Sequence, residues 1–212
     1  MVEPVLALAG IVGALLVGAI SPGPSFVLVA RIAIARSRLD GVAAAFGMGI
    51  GGIILCGLAL LGLRTLLMQA GWLYIGLKTA GGLYLVYLGV RLWRGARETI
   101  VMPDAVAPNM TGPARSLALA LATQLSNPKT IFVYCGIFAA LLPAAAPWWM
   151  IAALPPLVFL VEAGWYSVVA LAFSASRPRA AYLRAKRLID RMAGAVIAAL
   201  GLRLIIATEL PS

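Results

Sequence analysis

Charged side chains inside long apolar segments are the residues of this sequence most able to do chemistry. Lys78, Lys129 and Glu162 each lie within such a segment. Because a charge in hydrocarbon costs several kcal/mol, these side chains should face a cavity or one another. Lys129 can offer an ammonium group to a carboxylate, and Glu162 and Lys78 are candidates for binding a coupling ion or proton. A structural ion pair of Glu162 with Lys129 or Lys78 is the alternative, and the two roles are compatible if the pair breaks.

Proline interrupts two apolar segments at matching places in the two halves of the chain. The first interruption is Ser21-Pro22-Gly23-Pro24, and the second is Ser126-Asn127-Pro128-Lys129. A proline inside an apolar helix removes a backbone hydrogen bond, so the freed groups must face protein or water. Paired interruptions indicate a substrate site near the middle of a membrane transporter. Two ordinary proline kinks are the alternative.

The residues at both interruptions are suited to bind a small zwitterion. A helix N-terminus at the first break would attract an anionic group, and the Asn127 amide can both donate and accept hydrogen bonds. Ser21 and Ser25 supply small hydroxyl groups, unless these bond only to the preceding turn. The predicted substrate-binding residues are Ser21, Pro22, Gly23, Pro24, Ser25, Asn127, Pro128 and Lys129.

Composition places these residues in an integral membrane protein. Of the 212 residues, 63% are hydrophobic and only 11% are charged, whereas about a quarter of a soluble domain is charged. The length allows about six helices of roughly 20 to 25 residues. We expect an all-α bundle with helices at about 5–30, 41–63, 72–92, 117–142, 148–173 and 188–207, of which the first and fourth are broken by proline.

Basic residues alternate between the predicted loops. Arginine and lysine are concentrated after the first, third and fifth helices, whereas the other connections and both termini carry few. The positive-inside rule therefore predicts both termini on the outer side of a bacterial inner membrane. The net charge of +10 is then explained by contact with anionic lipid, and not with nucleic acid.

The two halves of the chain resemble each other. Residues 82–92 align without gaps to residues 194–204, with both glycines, the arginine and the final leucine coinciding. Three helices per half would make an inverted repeat, with repeat one at about 1–95, a cytoplasmic loop at about 93–115 and repeat two at about 116–208 of one domain. Two similar glycine-rich packing faces are the alternative.

Several motifs together resemble the lysine exporter superfamily, and within it the homoserine and threonine efflux branch. The resemblance covers essentially the whole chain and rests on the two proline segments, Gly47-Met48-Gly49-Ile50-Gly51, Lys78 with Gly81-Gly82, Tyr84-Leu85 and Leu88-Gly89. It implies a secondary exporter of amino acids or related metabolites, driven by an ion gradient, with no enzymatic activity and no cofactor. Many relatives have an acidic or amide residue after the second-helix glycines, where this chain has Gly52.

Other interpretations stay open at this stage. Cys56 and Cys135 lie in apolar segments, so a thiol-redox conduit through the membrane is one alternative, although neither has a C-x-x-C partner. A non-transporting membrane subunit is another, but it leaves the intramembrane charges unexplained. Gly47 and Gly51 form a small-residue face that suits either a homodimer or packing within one chain.

Overall fold

A computed structural model of the protein describes residues 2–69, 71–98, 112–143 and 145–206. Within the helices, it describes side chains at positions other than 2, 63–69, 71–74, 77, 78 and 176–179. The regular structure in this part of the chain is entirely helical. The eight helices are α1 (Val2–Ile20), α2 (Pro24–Ala35), α3 (Arg38–Gln69), α4 (Gly71–Gly95), α5 (Pro113–Ser126), α6 (Pro128–Leu141), α7 (Trp148–Phe173) and α8 (Ser176–Ile206).

The all-helical prediction is confirmed, although two of the predicted helices were too short. The first and fourth predicted segments are each divided in two, as α1 with α2 and α5 with α6. The second extends to 38–69, and the last begins at Ser176, twelve residues before its predicted start. Hydropathy marks only the apolar part of a helix, whereas the basic segment before Leu188 continues the same helix.

Each break has a proline at the first position of the following helix. Pro24 begins α2 after Gly23, whose backbone is extended, and Pro128 begins α6 after Asn127. Proline suits this position because its missing N–H would have no partner within the helix. Proline alone does not break a helix here, since Pro155 and Pro156 lie inside the continuous helix α7.

Small residues bring the helices together. Helix α3 packs between α5 and α7, and α4 packs along α8. Gly47 lies against the Leu117 backbone, and a side chain at Gly51 would meet Gln124 at 2.8 Å. The Gly47 and Gly51 face is therefore covered by α5 of the same chain, so a homodimer would need another surface.

The core forms two apolar clusters, one on each side of a polar layer. One cluster contains Leu15, Leu55, Val133 and Val158, and the other contains Phe26, Met48, Ala120 and Tyr166. Along α7, Glu162 lies between the residues of the two clusters, and the helix breaks fall between them along α1–α2 and α5–α6. The polar layer thus crosses the bundle at the level of the breaks.

Part of the exposed surface is apolar. Large apolar side chains are exposed on several helices, among them Leu6, Leu58, Leu160 and Leu171. Three of the described helices contain segments long and apolar enough to cross a membrane: Glu3–Ile20, Arg38–Gly62 and Trp148–Phe173. Helices α2 and α6 are apolar but shorter.

Candidate functional site

The two helix breaks lie against each other and form one site. A Cβ atom built on Gly23 would be 3.1 Å from Cδ and 3.3 Å from Nζ of Lys129. Asn127 Nδ2 donates a 2.9 Å hydrogen bond to Ser25 Oγ. Residues about 100 positions apart in the sequence are thus in direct contact, as the paired proline segments predicted.

The Lys129 ammonium group binds the end of α1. Nζ donates hydrogen bonds to the carbonyl oxygens of Ser21 at 2.8 Å and Gly18 at 3.2 Å. The last carbonyls of a helix have no partner within it and carry partial negative charge, so they favour a cation. The ammonium group is therefore beside freed backbone groups, as predicted, but these groups already accept its hydrogen bonds.

A buried hydrogen-bond chain at the two breaks includes Gln124, a residue that the sequence analysis did not single out. Ser25 Oγ donates to Gln124 Oε1 at 2.7 Å and accepts from Asn127, so it does not bond to its own preceding turn. Asn127 Oδ1 accepts from the backbone N–H of Lys129 at 3.0 Å and caps α6. An amide one turn before the break, in an otherwise apolar segment, was the available signal for Gln124.

The beginning of α2 has no comparable cap. Its N-cap residue is Gly23, which makes no side-chain hydrogen bond. The first N–H groups of a helix have no intrahelical partner and carry partial positive charge. The α2 N-terminus therefore adds to the Lys129 ammonium group in favouring an anion at the breaks.

Glu162 is buried beside Tyr134 and Gly52. It is 3% exposed, and its Oε1 accepts a 2.8 Å hydrogen bond from the Tyr134 hydroxyl, while Oε2 has no hydrogen-bond partner. A Cβ atom at Gly52 would be 3.0 Å from that hydroxyl and 3.1 Å from Glu162 Cγ. Gly52 thus makes room for a carboxyl group from α7, which explains the absence of a polar side chain at this position.

The ion pair considered as an alternative for Glu162 has two candidate partners, Lys129 and Lys78. Within the described residues, no direct ion pair joins Glu162 to Lys129, since each has the other partners given above. The side chain of Lys78 lies outside the described residues. Its predicted role in ion coupling, or in a pair with Glu162, therefore stays a prediction.

Two cavities meet at Lys129. A small cavity of about 20 Å³, enough for about one water molecule, is lined by Ser21, Gly23, Ser25, Asn127, Lys129 and Glu162 among others. A cavity of about 720 Å³ is lined by Pro22, Gly23, Pro24, Asn127, Pro128 and Lys129, and it continues along α4 and α8. Every predicted substrate-binding residue lines at least one of the two cavities.

The larger cavity reaches the protein surface near the basic C-terminal end of α4. Arg91, Arg94 and Glu98 line it near the end of α4 and are exposed, and Lys186 and Asp190 line it on α8. Cys56 and Cys135 are free thiols, and neither is among the lining residues of the two cavities. The arrangement is a surface-connected passage ending at a charged site, which suits movement of a small polar molecule.

Comparison with known proteins identifies the chain. Residues 16–208 match the LysE type translocator family. The chain belongs to this family. It is a transporter and not an enzyme, as predicted, and the resemblance to the lysine exporter superfamily is confirmed.

Curated relatives of this translocator carry names of efflux proteins. It is 35% identical over 199 residues to the threonine efflux protein of Salmonella typhimurium and 33% identical over 196 residues to that of Escherichia coli K12. Both alignments cover 90% of this chain and 93% of the relative. The leucine efflux protein of Salmonella choleraesuis is 33% identical over 62% of this chain and 63% of its own length. No solved structure matches the chain significantly.

Proposed function

We propose that this translocator exports an amino acid from the cytoplasm by alternating access to the two helix breaks. The observation that carries this proposal is the position of Lys129, which lines both the small cavity beside Glu162 and the larger cavity that reaches the surface. A carrier of this kind exposes a central site to one side of the membrane at a time. Arg91 and Arg94 at the rim of the larger cavity mark it as the cytoplasmic entrance by the positive-inside rule.

The relatives suggest the substrate class. Two are named threonine efflux proteins and one a leucine efflux protein. The groups at the breaks fit the part that all α-amino acids share. The substrate carboxylate would bind at the uncapped α2 N-terminus and accept a hydrogen bond from Lys129, whose ammonium group would leave the carbonyls of Gly18 and Ser21.

Reciprocal glycine contacts between α4 and α8 support the inverted repeat. A Cβ atom at Gly89 would be 2.5 Å from the Gly194 carbonyl oxygen, and one at Gly201 would be 2.5 Å from the Gly82 carbonyl oxygen. In the sequence alignment, Gly82 corresponds to Gly194 and Gly89 to Gly201. Exchanging each glycine for its aligned equivalent therefore turns the Gly89–Gly194 contact into the Gly201–Gly82 contact. This is the pattern of a two-fold axis between two equivalent elements.

Glu162 is the proposed site of ion coupling. Its carboxyl group is buried in the polar layer and lines the small cavity that Lys129 also lines, but not the larger one. Oε2 has no partner among the described residues and is free to bind a proton. Proton binding there from the outer side would supply the gradient-driven step, and Lys78 stays a second candidate.

The remaining assignments follow from charge placement and the lipid-facing surface. We place the protein in a bacterial inner membrane with six membrane crossings and both termini outside. The exposed apolar residues contact membrane lipid. A homodimer stays a prediction without an assigned surface.

Efflux of labelled L-threonine from preloaded cells tests this proposal. Wild-type protein should export the label, and a protonophore should stop export. Lys129→Met, which removes the charge but keeps a side chain of similar length, should abolish export. Arg187→Met is the matched control, because it removes an exposed basic residue of α8, and it should export normally. Export that survives in Lys129→Met would remove Lys129 from the mechanism, and export unaffected by the protonophore would exclude proton coupling.

A further inference from the structure

An ion pair on α8 lies in the wall of the larger cavity and has no part in the mechanism proposed so far. Lys186 Nζ donates to Asp190 Oδ2 at 2.7 Å, and the two residues are 9% and 3% exposed. Asp190 Oδ1 has no hydrogen-bond partner. Both residues line the cavity that also contains Lys129.

A purely structural role gives a poor account of this pair. Ion pairs four residues apart on a helix contribute little to stability, and the order with the basic residue first is the less favourable one. Burying two charges costs more than such a pair returns, and an apolar pair in the same place is often more stable. A carboxyl oxygen left without a partner adds to that cost.

The two cavities differ in what they can hold. The small cavity beside Glu162 has room for about one water molecule, so an amino acid that enters from the basic end must lie in the larger one. Among the described residues, two acidic side chains line the larger cavity, Glu98 and Asp190. Glu98 is exposed at the rim, whereas Asp190 is buried in the wall of the cavity.

We propose that Asp190 binds the ammonium group of the transported amino acid, opposite the Lys129 end of the cavity that receives its carboxylate. Lys186 holds Oδ2 and leaves Oδ1 to accept from the substrate. This assignment rests on the proposed function and specifies its ligand as an α-amino acid with a free, protonated amino group. It predicts discrimination against molecules that keep the carboxylate and lack the amino group.

Binding to purified protein tests the assignment with L-threonine and 3-hydroxybutyrate, which keeps the carboxylate and hydroxyl group of threonine but lacks its amino group. Asp190→Asn should weaken L-threonine binding about 10- to 100-fold, the range for a hydrogen bond between charged groups. The apparent Kd of 3-hydroxybutyrate should change less than about threefold. Glu3→Gln, the same change at an exposed position of α1 that lines neither cavity, should leave both Kd values as in wild type.

An exchange variant separates binding from folding. Lys186→Asp combined with Asp190→Lys keeps an ion pair at the same two positions but removes the carboxylate from position 190. The assignment predicts that this folded double variant still loses L-threonine binding. Restored binding in it, or equal weakening of both ligands in Asp190→Asn, would make the pair structural and overturn the assignment. Wild-type protein that binds none of the twenty amino acids would overturn the proposed function itself, and this assignment with it.

Discussion

The close crossing of α4 and α8 allows a quantitative test of the packing and of the proposed repeat. A Cβ atom at Gly89 would lie 2.5 Å from the Gly194 oxygen, about 0.9 Å short of the 3.4 Å at which ordinary contact begins. Since the obstacle is backbone, Gly89→Ala must push the helices apart. Overpacking of this kind typically costs about 1–3 kcal/mol.

Gly164 offers the matched control, because a Cβ atom there meets nothing within 4 Å. Gly164→Ala is expected to be neutral or to stabilise α7 by up to about 1 kcal/mol through helix propensity. The difference between the free energies of unfolding of Gly89→Ala and Gly164→Ala therefore measures the cost of the added Cβ atom at the close contact between α4 and α8. Unfolding of the purified protein by SDS, followed by circular dichroism, measures both values.

The inverted repeat adds a second expectation. Gly201→Ala should cost the same as Gly89→Ala within about 0.5 kcal/mol, because each places a Cβ atom 2.5 Å from the opposite backbone oxygen. These two contacts lie about two helical turns apart between the same two helices, and a separation of the helices by one substitution also makes room at the other, so the double variant should cost less than the sum of the two. Gly89→Ala and Gly194→Ala share one crossing and should add to less than their sum. A neutral Gly89→Ala, or a Gly164→Ala that destabilises as much, would refute the packing argument.

Two further variants test the polar layer. Tyr134→Phe removes the hydroxyl that holds Glu162, a loss of about 1–3 kcal/mol, so the initial rate of L-threonine efflux should fall about tenfold. A rate equal to that of the wild-type protein would remove Tyr134 from the mechanism. Gly23→Ala would place a Cβ atom 3.1 Å from the flexible Lys129 side chain. Because that side chain can move aside, L-threonine binding should weaken several-fold with little change in thermal stability. A large loss of folded protein would show that the Lys129 side chain cannot move aside.

The helix breaks could be predicted from the sequence because their cause is local. Pro24 and Pro128 cannot continue a preceding helix, and both stand at the first position of a new one. Proline content alone was not decisive, since α7 continues through Pro155 and Pro156. Gly23 with its extended backbone and the Asn127 side-chain cap distinguish the two breaks from that segment.

The partners of the polar residues could not be read from the sequence. Gln124 received no role, yet it binds Ser25 across 99 positions. Lys129 was expected to offer its ammonium group to a substrate carboxylate, and the carbonyls of Gly18 and Ser21 that it binds were not named. For Glu162, an ion pair with Lys129 or Lys78 was one alternative, and its hydrogen bond with Tyr134 was not foreseen. Each of these contacts depends on how separate helices pack, for which spacing along the chain gives no signal.

The sequence by itself determined the class of protein, the two breaks and the family, because composition, proline and short motifs act locally or are read directly. The tertiary structure alone decided which groups share a cavity. Gly52 makes space for Glu162 from a different helix, and Lys129 and Asp190 line one passage although 61 positions separate them. Burial and cavity shape arise from the packing of all eight described helices, so only the assembled helices show that Lys129 and Asp190 share one cavity.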